Sequence, residues 1–531
     1  MGTLDYIWLG VLAVFQGPEL FSILGFAVSV TLVMIFCGFL LGVAVGATPG
    51  LAGPMAMAIA LPILISIFGY SGDALLPVLG FLIGIMKGAT IGGAVPAILF
   101  NTPGTPDAFM TTLDGYPMAQ RGQAKKALRV AHFSSVSGDT FSDLVLFVCA
   151  PFLAIFVEAY LDFPEKTALL ILSLSFIAAV IGGSPAKGLI SMSLGLLAAY
   201  VGTGEDFYPR LSVGSQKLAQ GFPIATAVLG VLIIGAIFKG MEELWHEKKS
   251  KGTIAVVADS GDQRLSFADM RRLLPYISRS AVVGTAIGAL PGIGSTLAAT
   301  LGYTLGKNRY QKRKSVDDPD FGTGAPEGIA ATEAANSSVS GANLIPVLSL
   351  GIPGNAAAVF LILAADSIGG FNPGPSVFKF TKDAVNPELV VAFGLFTAMF
   401  LANILNWTIG GFFMRSMAIM IRIPKQFLLP VVLLVTLTAI YVQETRMEAI
   451  WFALGFGILG YAMRCFAMSP LPFVIAFILG SKLEDSARQA FSASGNDPFF
   501  LITSPIAAAF IALSVVVVTI ALRGQAKVYQ N

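Results

Sequence analysis

Gly42-Val-Ala-Val-Gly46-Ala-Thr48-Pro49-Gly50 returns 242 residues later as Gly284-Thr-Ala-Ile-Gly288-Ala-Leu-Pro291-Gly292. A second pair follows each copy: Val95-Pro96-Ala-Ile-Leu-Phe-Asn101-Thr102-Pro103-Gly104 and Ile345-Pro346-Val-Leu-Ser-Leu-Gly351-Ile352-Pro353-Gly354, 250 residues apart. The same two Pro-Gly breaks, in the same order, interrupt apolar sequence in both halves. That repetition decides the reading of the fold.

Around the breaks the chain is built for lipid. Of its 531 residues 55% are hydrophobic and 12% charged, about half the charged share of a soluble domain. Apolar runs recur over 20–45, 140–160, 167–181, 222–238, 390–413, 427–442 and 499–522. A span needs about 20 largely apolar residues. Barrel strands alternate apolar and polar positions, whereas these runs are apolar on every face. The expected fold is an all-α polytopic membrane protein with about ten to twelve transmembrane helices. It divides into a first membrane repeat (1–240), a hydrophilic linker (241–276) and a second repeat (277–531).

Several function classes lose support. A net charge of +2 gives no reason to expect nucleic acid. Cys37, Cys149 and Cys465 are scattered and form neither a disulfide framework nor a metal-ligand spacing. Residues 1–17 contain no Lys or Arg, so a secretory signal is not expected there. There is no Gly-x-x-x-x-Gly-Lys-Ser/Thr phosphate loop, and the two histidines, His132 and His246, are distant. No enzyme activity is expected. Both histidines flank charged loops and are read as solvated.

Loop charge sets the expected topology. The loop after the first break has no Lys or Arg in the first half. In the second half it has Lys307, Arg309, Lys312, Arg313 and Lys314. After the second break the bias reverses: Arg121, Lys125, Lys126 and Arg129 in the first half, only Lys379 and Lys382 in the second. Cytoplasmic loops carry the excess of Lys and Arg. The two repeats are therefore expected to be inserted upside down relative to each other, with Pro-Gly-broken helices or re-entrant hairpins, as in secondary transporters. The linker would be cytoplasmic.

A helix broken in mid-membrane exposes backbone groups that cost several kcal/mol each unless compensated. A half-helix starting there offers free N–H groups and the positive end of its dipole, an anion site. One ending there offers carbonyls that suit Na⁺. Thr48, Asn101, Thr102, Thr105, Ser295, Thr296 and Asn355 add neutral hydrogen-bonding groups. With Pro49, Gly50, Pro103, Gly104, Pro291, Gly292, Gly294, Pro353 and Gly354 they form the candidate site for a carboxylate and a small cation. No catalytic residue and no metal beyond a possible Na⁺ are expected.

Intramembrane charges are functional candidates. Lys87 and Glu333 are read either as a structural ion pair across the repeat or as substrate or cation ligands. Glu327 shares the helix of Glu333. Asp139 and Asp143 are read as a solvated or paired helix start, with a cation site as the alternative. Gly80, Gly84, Gly88 and Gly92 form a four-residue stripe, expected to let a neighbouring helix approach closely.

The strings Gly46-Ala-Thr-Pro-Gly-Leu51, Asn101-Thr-Pro-Gly-Thr-Pro106, Gly288-Ala-Leu-Pro-Gly-Ile293 and Pro326-Glu-Gly-Ile-Ala-Ala-Thr-Glu-Ala-Ala-Asn336 through Leu350-Gly-Ile-Pro-Gly354 resemble the large membrane subunit of the tripartite tricarboxylate transporters, the TctA family. The resemblance covers essentially the whole chain. Ser337-Ser338 depart from the amide- or alanine-rich run expected of the family, which leaves substrate identity open. The resemblance implies a multi-pass protein of the bacterial inner membrane. It would work with a small membrane subunit and a periplasmic substrate-binding protein. It would import a tricarboxylate such as citrate, with Na⁺ or H⁺ as coupling ion and no cofactor. A passive organic-anion channel is the alternative, since it would use the same helix ends.

Overall fold

Helices carry the chain because an α-helix satisfies its own backbone in lipid. In a computed structural model, residues 3–23, 26–48, 51–180, 184–203, 209–211, 216–247, 263–290, 294–312, 318–379, 384–416 and 425–528 are described. The first half runs α1 (Thr3–Phe15), β1 (Glu19–Ile23), β2 (Phe26–Ser29), α2 (Val30–Gly46), α3 (Gly53–Phe68), α4 (Leu75–Gly92), α5 (Ala94–Phe100), α6 (Phe109–Met118), α7 (Ala124–Tyr160), α8 (Phe163–Val180), α9 (Pro185–Ala199), the two-residue strands β3 (Gly202–Thr203) and β4 (Pro209–Arg210), α10 (Ile224–Leu229) and α11 (Gly235–Glu247). The second half runs α12 (Phe267–Gly288), α13 (Ser295–Tyr310), α14 (Pro326–Ala342), α15 (Leu344–Leu350), α16 (Ala356–Ile368), α17 (Pro387–Leu405), α18 (Gly411–Ser416), α19 (Lys425–Glu444), α20 (Met447–Cys465), α21 (Leu471–Ala493), α22 (Phe500–Thr503) and α23 (Pro505–Val528).

The internal repeat reaches the level of elements. α3 and α13 are both 16 residues long, and α5 and α15 are both 7. α4 passes into α5 at Gly93, and α14 passes into α15 at Asn343, the position 250 residues on. Among the described residues six helices are long and apolar enough to cross a membrane. The shorter count than expected has a physical cause: the breaks cut other apolar segments, such as α2, α3 and α16, into pieces of 10–17 residues.

Two boundaries differ from expectation. Residues 20–45 do not form one helix. β1 and β2 pair as an antiparallel hairpin before α2 begins. Phe21, Ile23, Phe26 and Val28 favour strand, and Ser29 then caps α2 by accepting the Leu32 N–H at 3.3 Å. α12 starts at Phe267 rather than 277. Ser266 and Asp269 close a capping box there. Partial burial opposes ionisation of Asp269, but the Ser266 N–H and hydroxyl, with Lys126 at 3.3 Å, hold its carboxyl below the usual range.

The chain divides into two compact units, each drawn from both halves. The first comprises 1–153, 248–290 and 294–428; the second comprises 154–247, 291–293 and 429–531. All four breaks bear on the first unit, although 291–293 falls to the second and lies outside the described residues.

In the first unit, glycine fixes how closely α2 and α4 pack. A Cβ on Gly38 would meet Phe81 O at 2.1 Å, one on Gly42 would meet Ile85 O at 2.4 Å, and one on Gly46 would meet Ala89 O at 2.3 Å. From the other side, Gly84, Gly88 and Gly92 would meet Ile35 O, Phe39 O and Val43 O at 2.5, 2.2 and 2.5 Å. The two backbones touch because neither carries a side chain at the contact. Gly80, the first of the stripe, faces only the Ile35 and Thr31 side chains. In the second unit Arg464 on α20 donates to Val231 O and Leu232 O, both at 2.8 Å. Those carbonyls belong to the wide turn Gly230–Ile234 between α10 and α11.

Candidate functional site: a cleft where the chain breaks meet

The second break of each half is built identically. α5 ends at Asn101 and α15 at Gly351, both left-handed, with φ of 53° and 70°. The next N–H reaches back six residues in each: Thr102 to Pro96 O at 3.3 Å, and Ile352 to Pro346 O at 3.2 Å. In both, a left-handed residue just past the last helical turn folds the following N–H back onto a carbonyl of the helix, a common way for a helix to end. Beyond each closure the glycine of the Pro-Gly pair is needed for close approach. A Cβ on Gly104 would lie 2.4 Å from Gly46 O, which brings the second break against the first. A Cβ on Gly354 would lie 2.1 Å from Asn343 Oδ1. The Asn343 side chain fills the space that the missing side chain leaves.

The helices that restart after the breaks border one cleft of about 80 Å³. Gly53 and Pro54 line it after the first break, Thr105 and Asp107 after the second, Ser295 after the third, and Asn355 and Ala357 after the fourth. Met86, Ala89 and Thr90 of α4 and Asn336, Val339 and Ser340 of α14 complete it. α3 and α13 both begin here without a side-chain cap. Each brings the positive end of a helix dipole. α16 begins here too, with Asn355 Oδ1 accepting the Ala358 N–H at 2.8 Å. Thr296 donates to Asp107 Oδ1 at 2.7 Å and ties the third break to the second. The cleft thus offers helix N-termini to an anion, and one carboxylate with several hydroxyl and amide oxygens to a cation. At about 15 Å³ or more of such space per water, it has room for a carboxylate group and a small ion. The second unit holds two larger clefts, of about 450 and 400 Å³. Glu484 pairs with Arg210 at 2.8 Å and with Arg488 at 2.9 Å in the first, and Lys217 pairs with Glu448 at 2.7 Å in the second.

Of the residues expected at the site, Thr105, Ser295 and Asn355 line the cleft. Gly104, Pro353 and Gly354 are buried around it, and Pro103 and Gly294 are half-buried. Thr48 is buried but turns its hydroxyl to Ala44 O at 2.8 Å. Asn101 and Thr102 are exposed and do not line the cleft, and Thr102 bonds Phe100 O at 3.1 Å. Thr296 is exposed and engaged with Asp107. Pro49, Gly50, Pro291 and Gly292 lie outside the described residues.

The expected Lys87–Glu333 pair does not form. Lys87 Nζ lies 2.6 Å from Asp139 Oδ1 and 2.7 Å from Asp143 Oδ1. These aspartates are not at a helix start; α7 begins at Ala124, which sets both well inside it. Glu333 instead accepts hydrogen bonds from the Thr111 hydroxyl and, at 2.8 Å, from Ser135. The 250-residue shift aligns chain positions, but Lys87 stands one turn, about 6 Å along its helix, from the position that matches Glu333, and the two side chains meet different neighbours. Glu327 pairs with Arg272 of α12. His132 is half-buried rather than solvated, with Nε2 3.0 Å from Asn406 O; His246 is exposed.

The comparisons with known proteins agree with this architecture. A family model described as "Tripartite tricarboxylate transporter TctA family" matches residues 32–475. The chain belongs to the TctA family. The TctA match takes in all four breaks and the whole cleft. The chain is 32% identical over 509 residues to an uncharacterized 52.8 kDa protein in the TAR-I ttuC' 3' region of Agrobacterium vitis, covering 94% of this chain and 95% of that one. It is 31% identical over 243 residues to an uncharacterized protein in the TAR-II ttuC' 3' region of the same organism, covering 45% of this chain and 93% of that one. No solved structure matches the chain. As a TctA protein it is a multi-pass membrane component of a tripartite transporter.

Three features of this TctA chain escaped the sequence reading. Asp107, Asn336 and Ser340 line the cleft. Asn403, buried in α17, donates to Asp143 Oδ2 at 2.5 Å. An amide inside an apolar run is the signal that could have found it. Asp114 Oδ1 accepts the N–H groups of Gly322, Gly324 and Ala325 at 2.8–2.9 Å and so anchors the start of α14.

Proposed function

We propose that this chain is the large membrane subunit of a binding-protein-dependent secondary transporter that imports a carboxylate of the citrate class across the bacterial inner membrane. Its partners are a small membrane subunit and a periplasmic substrate-binding protein that delivers the cargo. The observation that carries the reading is the cleft bordered by helices restarting after all four Pro-Gly breaks. Uncapped N-termini of α3 and α13 hold a carboxylate through backbone N–H groups and helix dipoles, without a covalent bond. Oxygen ligands beside them hold a coupling Na⁺, or a buried carboxylate carries a coupling proton.

The first unit, which holds the cleft, is the part that carries cargo, and the helices of the second unit supply the scaffold. The reversed loop-charge bias supports inverted insertion of the two repeats. Single cysteines at Ser71 and Gln311 are then expected to react with an impermeant thiol reagent from opposite sides; reaction from the same side contradicts inversion.

The function is tested by uptake of labelled citrate into proteoliposomes holding the chain and its two partners. Accumulation above the external concentration under an imposed Na⁺ or H⁺ gradient is the expected result. Equilibration alone, indifferent to either gradient, identifies a passive anion channel instead.

A further inference from the structure

Lys87, Asp139 and Asp143 form a buried cluster that binding a carboxylate does not by itself explain. Lys87 Nζ lies 2.6 Å from Asp139 Oδ1 and 2.7 and 2.8 Å from the two oxygens of Asp143. Lys87 is 1% exposed, Asp139 3% and Asp143 9%. Two carboxylates against one ammonium leave one negative charge unbalanced in a site shielded from water. An uncompensated buried charge costs several kcal/mol. Neutral donors spread that charge without cancelling it: the Ser340 hydroxyl on Asp139 Oδ1, and Asn403 Nδ2 on Asp143 Oδ2 at 2.5 Å.

No other cation among the described residues makes an ion pair with the cluster. α2 carries no charged residue, and α4 carries only Lys87. On α7, His132 lies two turns away, bonded to Asn406 O. On α14, Glu333 is held by Thr111 and Ser135, and Glu327 by Arg272. On α17, Glu388 sits in the first turn and accepts from the Asn372 N–H.

We infer that the Lys87–Asp139–Asp143 cluster takes up one proton at Asp139 Oδ2, and that this proton is the coupling ion of the transport cycle. The inference rests on the transport reading above. Three of the four carboxylate oxygens already touch the ammonium. The one that remains, Asp139 Oδ2, suits a proton, which needs a single oxygen, better than a metal cation, which gathers several. One proton brings the formal charge of the cluster from minus one to zero, and its release restores the starting state.

The cluster is one hydrogen bond away from the cleft. Ser340 bonds Asp139 and also lines the cleft, and Met86, next to Lys87, lines it too. An unprotonated cluster repels an anion there, and a protonated one does not. Proton and carboxylate therefore favour each other's binding, by about tenfold or more on the usual scale of such coupling.

The test uses the full chain with its two partners in Na⁺-free proteoliposomes with an alkaline lumen, and labelled citrate as probe. The wild type is expected to accumulate citrate. Asp143→Asn and Asp139→Asn, each leaving one ammonium against one carboxylate, are expected to exchange internal for external citrate but to lose accumulation. The same proton is read without transport as the infrared C=O band of a carboxylic acid in the full chain in nanodiscs, present in the wild type and lost in either variant. The inference is overturned if both variants accumulate like the wild type, if wild-type accumulation needs Na⁺ and ignores the pH gradient, or if Glu333→Gln loses coupling while Asp143→Asn keeps it. No citrate movement of any kind in the wild type overturns the transport reading, while the infrared band still decides whether the cluster holds a proton.

Discussion

Lys87→Met is expected to destabilise the protein by about 3–5 kcal/mol, the usual cost of removing one partner from a buried ion pair. Lys87 is fully buried, and its ammonium touches three carboxylate oxygens of Asp139 and Asp143. Methionine fills much of the same volume, so packing changes little. What changes is charge: two carboxylates stay behind with only Ser340 and Asn403 to hold them. The expected result is a large drop in melting temperature in detergent and a low yield of monodisperse protein. The triple variant Lys87→Met, Asp139→Asn, Asp143→Asn carries no charge at the cluster and is expected to recover most of the loss. A single Lys87→Met variant as stable as the wild type would show that the cluster does not hold these helices together.

How much of this was legible depended on whether the signal was local. The Pro-Gly pairs announce themselves because each needs particular backbone chemistry at particular positions. Asn101 and Gly351 stand in register because both must be left-handed. The glycine stripe was legible for the same reason: only glycine permits the contact of α4 with α2. The partner of Lys87 was not legible. Asp139 and Asp143 lie 52 and 56 residues away on α7, and nothing in the sequence says how far α7 is rotated about its axis. The shift that aligns the repeats pointed at Glu333, but one turn displaces a side chain by about 6 Å along the helix axis, enough to change its neighbours. The hairpin before α2 was hidden because its strand-favouring residues, Phe21, Ile23, Phe26 and Val28, run without a charged residue into the apolar sequence of α2. The candidate site was readable as a set of breaks. It was not readable as a cleft, because Asp107, Asn336 and Ser340 come to it through tertiary packing alone.

Filling the cleft is expected to stop transport without unfolding the chain. Thr90 lines the cleft and is half-buried, with its hydroxyl turned back to Met86 O at 2.9 Å. It lies two residues from both Gly88 and Gly92, about 200° around α4 from the face that meets α2. A bulky side chain there leaves the glycine contact intact. An indole would take up much of the roughly 80 Å³ bordered by Gly53, Ser295 and Asn355. The N-termini of α3 and α13 would no longer reach a carboxylate. Gly354→Leu is a poorer probe, because its Cβ would strike Asn343 Oδ1 and disturb the fold as well as the site. The decisive measurement is therefore citrate uptake by Thr90→Trp, reconstituted with its partners at a melting temperature matched to wild type. A cargo site built from the four breaks predicts uptake below about a hundredth of wild type, and uptake at the wild-type rate would place the cargo elsewhere.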